Sequence, residues 1–162
     1  MAKKQVFYSF HFDNDVMRVQ QVRNMGVIEG NTPTAPNQWE TVKSNGDVAI
    51  KKWIDDNMKY KNCVVVLIGE ETANRPWVKY ELEKAWKDGR GLLGVHIHNL
   101  KCPRMRTSRK GRNPFADFNF GNQKFSDIVP CYDPSPFYAY NEIANNIDSW
   151  IDRAIQIRKQ YN

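Results

Sequence analysis

The segment NRPWVKYE, residues 74–81, combines a carboxylate with an indole at a spacing that suits chemistry on a sugar. Trp77 and Glu81 lie four residues apart, so on a helix they share a face and adjoin its apolar side chains. Such a setting raises the pKa of a carboxylate, and an anion there would stabilise the oxocarbenium-like state of N-glycosidic bond cleavage. Taken alone, the pattern favours a simpler interpretation, in which Glu81 faces solvent and Trp77 belongs to the core.

Two other patterns carry less weight. The run GRGLLG, residues 89–94, matches the GxGxxG fingerprint of dinucleotide sites, but that fingerprint follows a strand and opens a helix, whereas this run follows a predicted helix. These glycines are expected to end the helix and to let the next strand pack closely. His96, His98 and Cys102 are potential zinc ligands, but their spacing is not diagnostic and no fourth ligand is evident, so we predict no metal site.

Hydrophobic periodicity places these residues in an alternating series of strands and helices. Strands are predicted over residues 6–10, 27–28, 63–69 and 92–98 and, weakly, near 128–129; helices are predicted over 16–23, from 47 to about 60, 76–88 and about 137–159. The run CVVVLIG, residues 63–69, is apolar throughout, as expected of a central strand that is covered on both faces. This order predicts a three-layer, flavodoxin-like α/β fold with a central, mostly parallel sheet, whose ligands bind beyond the carboxyl ends of the strands.

Two segments stand apart from this periodicity. Residues 30–44 contain two prolines and several polar residues, and we expect this long irregular stretch to act as a lid. Residues 101–112 form a basic loop with six basic and no acidic residues; it accounts for the whole net charge of +6 and leaves 18 residues of each sign elsewhere. Because the loop is compact and lacks aromatic residues, nucleic acid is not an expected partner. A solvated loop is the simplest interpretation, and contact with a protein partner or a ligand phosphate is the alternative.

Length and composition favour one domain spanning residues 1–162. Cys63, Cys102 and Cys131 are an odd number of cysteines without a CxxC pair, which suits a reducing compartment. No segment approaches the roughly 20 apolar residues of a membrane span, and the first residues lack the pattern of a signal peptide. A cytoplasmic protein without membrane contact is therefore expected.

Several motifs occur in a recognisable order along the chain: VFYSFH, the Trp39-Glu40 pair, GDVAIKKWI, VVVLIGEET, RPWVKYELEKA, LLGVHIH and NPF at 113–115. Together they resemble the TIR-like family of the Thoeris antiphage systems. The likeness covers most of residues 6–115 and is most specific at LIGEETxxRxWVxYE. It implies a TIR-like fold and an enzyme that consumes NAD during phage infection, releases nicotinamide and makes an ADP-ribose-derived messenger, often a cyclic ADP-ribose isomer. In this family the messenger activates a separate effector, which depletes NAD or otherwise stops the infected cell.

The resemblance also implies roles for particular residues. Glu81 is the one position that matches the catalytic glutamate of the WVxYE helix. The implied NAD-binding residues are Ser9, Phe10, His11, Trp39, Asp47 and Trp77. Two alternatives stay open, since Phe10 could belong to the core and Asp47 could only cap its helix. NAD enters as the substrate, and no cofactor or metal is implied.

The sequence leaves the fate of the ribosyl cation and the partners open. Attack by the same molecule gives a cyclic product, attack by water gives linear ADP-ribose, and attack by another nucleophile gives a conjugate. Besides the effector, a phage-derived trigger and a homo-oligomer are compatible with the family resemblance. A non-enzymatic TIR-like module for sensing or assembly is the alternative class of protein.

Overall fold

The computed structural model describes residues 4–30, 44–101, 107–120 and 122–161, and its central sheet contains five parallel strands. These strands are β1 (Gln5–Ser9), β2 (Glu29–Gly30), β3 (Cys63–Ile68), β4 (Gly91–His96) and β7 (Cys131–Tyr132). Between β4 and β7 in the chain, β5 (Asn119–Phe120) and β6 (Gln123–Lys124) form a separate antiparallel hairpin. Their order across the sheet is β2-β1-β3-β4-β7. This is the flavodoxin-like order 2-1-3-4-5, so the predicted fold class is confirmed.

Helices cover both faces of this sheet. They are α1 (Phe12–Asn24), α2 (Asp47–Met58), α3 (Pro76–Lys87), α4 (Phe125–Ile128) and α5 (Ala139–Lys159), with single 3₁₀ turns at Thr72–Asn74 and Pro114–Asp117. Side chains of α1 and α5 share a core with Val65 and Leu67 of β3, and side chains of α2, α3 and α4 share the opposite core with Val64 and Val66. All six residues of β3 are buried, which explains why this strand has an uninterrupted apolar sequence.

Local sequence signals account for the bounds of α3. Pro76 occupies its first turn, where the missing N–H is not needed. Val78, Leu82 and Ala85 bury one face against the sheet. The chain then leaves the helix through Gly89, whose φ of +82° is favourable only for glycine. The expected role of the first glycine in the GRGLLG run is thus confirmed.

Three predicted bounds are wrong. The second strand is at Glu29–Gly30, not at residues 27–28. The predicted strand at 128–129 is replaced by the helical turn α4, because Phe125 and Ile128 lie three residues apart and both face the core. The C-terminal helix begins at Ala139, not at 137, since the two residues before it are exposed and non-helical.

Two further expectations concern segments that the structure describes only in part. The predicted lid falls mainly on residues 31–43, and part of the basic loop falls on 102–106; both stretches lie outside the described residues. None of the helices in the described ranges combines the length and the apolar character needed to span a membrane.

Two glycines of β4 give a test of how tightly the helices pack on the sheet. A Cβ at Gly91 would lie 2.9 Å from the backbone nitrogen of Ile155 in α5, whereas a Cβ at Gly94 would meet only side-chain atoms, Ile68 Cδ1 at 2.7 Å first. Because backbone cannot rotate away, Gly91→Ala should lower the free energy of unfolding by about 2 kcal/mol, and Gly94→Ala by less. Urea denaturation of both variants measures the difference. A smaller loss at Gly91 would show that α5 can be displaced there at little cost.

Candidate active site

A buried carboxylate lies on the sheet face that α3 covers. Ser9 is the last residue of β1 and pairs with Val66 of β3. Side chains alternate along a strand, so Ser9 projects to the same face as Phe7, toward the core that includes α3. Glu81, in the second turn of α3, is 8% exposed and Ser9 is 1% exposed. The solvent-facing interpretation of Glu81 is therefore wrong.

The electrostatics of Glu81 follow from this burial. Loss of hydration raises its pKa to about 8, and the nearby Ser9 hydroxyl acts in the opposite direction by favouring the charged form. The two groups are close but do not form a well-aligned hydrogen bond. Within the described part of the chain, Glu81 Oε2 and Ser9 Oγ have no hydrogen-bond partner. Buried polar atoms are seldom left unpaired, and those with shifted pKa values concentrate at functional sites.

Trp77 lies one turn before Glu81 in α3. Its half-buried ring packs edge-on against Tyr80, with 5.6 Å between centroids. The Tyr80 hydroxyl donates a hydrogen bond of 3.0 Å to Asp55 Oδ1 in α2. Trp77 and Tyr80 thus help to hold α3 beside α2, and burial, the first cause of the raised pKa at Glu81, comes from the packing of the whole helix.

The other residues that the resemblance implies are dispersed. Phe10 is half-buried and packs against the core on the face of the sheet opposite Glu81, which agrees with its alternative role in the core. His11 is buried at the start of α1, where its carbonyl accepts a hydrogen bond from the Asp15 amide. Asp47 is exposed at the first residue of α2. Trp39 lies outside the described residues.

Sequence reasoning missed a buried ion pair in α1. Asp15 and Arg18 are buried, and Arg18 Nη1 lies 3.5 Å from Asp15 Oδ1. Arg18 Nε also donates a 2.9 Å hydrogen bond to the carbonyl of Leu100, beyond β4. Burial raises the pKa of Asp15 to about 6, and the Arg18 charge works against that rise. The i,i+3 spacing of Asp15 and Arg18 is a sequence signal for an ion pair. The apolar positions of the same helix, however, gave no reason to expect that this pair is buried.

The described part of the basic loop, residues 107–112, forms a strap across the carboxyl ends of β3 and β4. Gly111 lies so close to the Gly69 carbonyl that a Cβ there would overlap it. The Ser108 amide donates a 2.9 Å hydrogen bond to the His98 carbonyl. The strap is therefore fixed by its backbone to the edge of the sheet where ligands of this fold class bind.

Two basic side chains of the strap are ion-paired. Lys110 Nζ lies 2.8 Å from Asp133 Oδ2, and Arg112 Nη1 lies 2.8 Å from both carboxylate oxygens of Asp117. These pairs fix the strap at both sides and offset part of its charge. Most of the described residues of the segment are exposed, as the interpretation as a solvated loop predicts, but these contacts tie it to the rest of the domain.

The histidines lie at the same edge of the sheet. The rings of His96 and His98 are 5.7 Å apart in an edge-on arrangement, and His96 Nε2 lies 3.6 Å from Cys131 Sγ. Cys102 lies outside the described residues. In the ranges that the structure describes, no three His, Cys, Asp or Glu side chains are grouped in a way that could hold a metal ion.

A parallel sheet in this order, with a buried glutamate on the helix that follows the central strand, defines a TIR-like α/β domain. Residues 7–102 match the family described as "Thoeris protein ThsB, TIR-like domain". The chain is also 38% identical over 120 residues to "Putative cyclic ADP-D-ribose synthase ThsB1" of Bacillus cereus (strain MSX-D12), an alignment that covers 71% of this chain and 62% of that relative. The chain therefore belongs to the ThsB TIR-like family, as its motifs indicate, although it spans under two thirds of this relative's length.

Substitution of Glu81 by glutamine tests the buried carboxylate without reference to activity. The folded pKa of about 8 exceeds the unfolded value of about 4.5, so stability falls as pH rises between them, where the unfolded chain ionises and the folded chain does not. Glu81→Gln should thus raise the free energy of unfolding at pH 7.5, on the order of 4 kcal/mol, and the gain should vanish toward pH 4. Denaturant titrations at several pH values measure it, with the exposed Glu83→Gln on the same helix as control. A gain that does not change with pH would contradict a buried, protonated Glu81.

Proposed function

We propose that this chain uses Glu81 to cleave the nicotinamide–ribose bond of NAD and forms an ADP-ribose-derived signal, a cyclic ADP-ribose isomer. The observation that carries the proposal is the buried carboxylate of Glu81 near the Ser9 hydroxyl, with an Oε2 that has no hydrogen-bond partner among the described residues. It lies where flavodoxin-like folds bind nucleotides. The name of the Bacillus cereus relative, which describes a cyclic ADP-D-ribose synthase, supports the same chemistry.

The carboxylate would act on the ribose next to nicotinamide. Its oxygens accept hydrogen bonds from the ribose hydroxyls, and its charge stabilises the cation that develops as nicotinamide leaves. Ser9 favours the charged form of Glu81 and offers a hydroxyl to the same sugar. With a pKa of about 8, Glu81 is ionised in roughly one molecule in ten at pH 7, which keeps the basal rate low.

Burial also bears on which product forms. A cation formed beside a carboxylate that is only 8% exposed meets little bulk water. Attack by a nucleophile of the same molecule is then favoured over hydrolysis, because that nucleophile is already held nearby. This supports a cyclic product in preference to linear ADP-ribose. The proposal includes a separate effector that responds to the signal, as the family resemblance implies. A phage-derived trigger and a homo-oligomer are compatible with that resemblance.

The decisive test compares wild type with Glu81→Gln in cells before and after phage challenge. Nicotinamide and an ADP-ribose-derived species should accumulate only in infected cells that carry the wild-type protein, with a loss of at least about 100-fold in the variant, as is typical when a charge that stabilises a transition state is removed. Mass spectrometry of cell extracts measures both species, and the product mass distinguishes cyclic, linear and conjugated outcomes.

The control for this comparison is Glu83→Gln, which changes an exposed glutamate two residues away. It should retain full activity. If both glutamine variants are folded and no Glu81-dependent product appears against any phage tested, the enzymatic proposal fails, and the alternative of a sensing or assembly module takes its place.

A pH profile tests the state in which Glu81 acts. Because the charged form is the active one, kcat/KM should rise with pH about tenfold per unit below 8 and level off above it. Ser9→Ala removes the group that favours the charged form, so its midpoint should shift to higher pH, whereas Ser149→Ala on an exposed part of α5 should not shift it. Steady-state rates of nicotinamide release from pH 6 to 10 measure both curves. A rate that falls as pH rises through 8 would mean that protonated Glu81 is the active form.

A further inference from the structure

Four buried side-chain atoms near the carboxyl end of β4 lack a hydrogen-bond partner in the part of the chain that the structure describes. They are Arg18 Nη2, His96 Nδ1, His98 Nδ1 and Ser108 Oγ, named here the donor cluster. Arg18 is 1% exposed, His96 is 5% exposed and His98 is 8% exposed. Native proteins leave few such atoms unsatisfied, so a group outside the chain is expected to pair with them.

The members of the donor cluster are neighbours. The two histidine rings are 5.7 Å apart, and the Ser108 amide donates to the His98 carbonyl. Burial lowers the pKa of His98, and the negative charge of Asp133 opposes this change. The positive charges of Lys110 and Arg18 lower the pKa further, so Arg18 lies within electrostatic range of the His98 ring. These links place the four residues in one region, between α1, the end of β4 and the strap.

Each member can act as a donor. Burial raises the pKa of Cys131 to about 11, so its thiol keeps its proton, and His96 Nε2 at 3.6 Å is positioned to accept it. The ring hydrogen of a neutral His96 is then on Nδ1, the unpartnered atom. Arg18 Nη2 is always a donor, while the Ser108 hydroxyl and His98 Nδ1 can donate by rotation or by choice of tautomer.

The hydrogen-bonding capacity of the cluster, more than its charge, indicates the kind of ligand. Asp15 contacts Arg18 through Nη1, at 3.5 Å, and its Oδ2, also without a partner among the described residues, lies against Gly69. Lys110 and Asp133 neutralise each other across the strap. Arg18 Nη2 and three groups that can donate thus remain without acceptors in the described part of the chain. Phosphate oxygens are strong acceptors that suit arginine and other N–H donors.

We propose that the donor cluster binds the diphosphate of the dinucleotide whose ribose lies at Glu81, an inference that rests on the proposed function. Ser9 aligns with Val66 of β3, and His96 aligns with Ile68 of the same strand. Two strand spacings across and two residues along separate Ser9 from His96, which amounts to roughly 12 Å. The ribose and the diphosphate are joined through one CH2–O unit, so one dinucleotide can contact both groups only where the side chains of Glu81 and of the donor cluster reach into this gap.

The test measures binding in the Glu81→Gln background, where turnover does not interfere. His98→Leu removes the Nδ1 donor, whereas His98→Asn keeps an amide nitrogen near the Nδ1 position. By calorimetry, ADP-ribose should bind at least about tenfold more weakly to the leucine variant, the loss expected for one hydrogen bond to a charged group, and within about threefold of the parent to the asparagine variant. Nicotinamide riboside, which has no phosphate, should bind the parent and His98→Leu alike in an NMR titration.

Other outcomes overturn the subsite. Equal binding of ADP-ribose by the parent and by folded His98→Leu would exclude it. Inorganic pyrophosphate binding as tightly as ADP-ribose would indicate a site for a free anion, not for part of a nucleotide.

Turnover assays separate this inference from the proposed function. With Glu81 present, NAD cleavage by His98→Leu at an unchanged KM would refute the subsite and leave the proposed function intact. If ADP-ribose binding depends on His98 but no Glu81-dependent cleavage of NAD occurs, the proposed function fails and a phosphate-binding site is what remains.

Discussion

The arrangement of this domain depends on one constraint, the burial of β3 on both faces. A strand of six apolar residues needs cover on each side, and the chain provides it with α1 and α5 on one face and α2 and α3 on the other. Packing α3 against the sheet brings its Val78, Leu82 and Ala85 face inward, and Glu81 adjoins that face. The carboxylate is thus carried into a weakly hydrated place by the apolar residues around it. Its raised pKa is a consequence of the fold more than of any single neighbour.

The carboxyl edge of the sheet is organised differently, by close backbone contacts and ion pairs. Gly69 has the Asp15 carboxylate on one side and Gly111 on another, and neither glycine could carry a side chain without overlap. Arg18 links α1 to the Leu100 carbonyl, and Lys110 links the strap to Asp133. These contacts cross long stretches of sequence and fix the polar groups of several loops relative to one another. An edge held in this way can keep buried donors and a buried carboxylate in place before a ligand arrives, at the expense of stability.

The fold could be predicted from the sequence, but the candidate site only in part. Long apolar or periodic runs predicted β3, α3 and α5 because burial requires such patterns over many residues. The two-residue strands β2 and β7 were misplaced, since short pairings depend on neighbouring strands and not on local composition.

Spacing put Glu81 beside an apolar face, which the structure bears out, but it could not show that Phe10 turns to the opposite core or that Trp77 packs on Tyr80. Arg18 was missed because a charged residue in a helix is assigned to solvent unless its distant partners are known. The catalytic role of Glu81 stays a prediction.

Two groups of polar atoms at this edge lack hydrogen-bond partners among the described residues. Glu81 supplies a potential negative charge near β1, and the donor cluster, whose Arg18 is ion-paired with Asp15 through one nitrogen, supplies unpaired hydrogen-bond donors near β4, two strands away. A dinucleotide with a cationic nicotinamide ring and an anionic diphosphate has the matching asymmetry. Bound with its ribose at Glu81, it would place the negative phosphates near Arg18, away from the carboxylate, and its developing cation next to the carboxylate. The reverse orientation would set like charges together inside a site of low dielectric, where their repulsion is large. Under the proposed function, the carboxylate near β1 and the donors near β4 would together favour one direction of the bound dinucleotide.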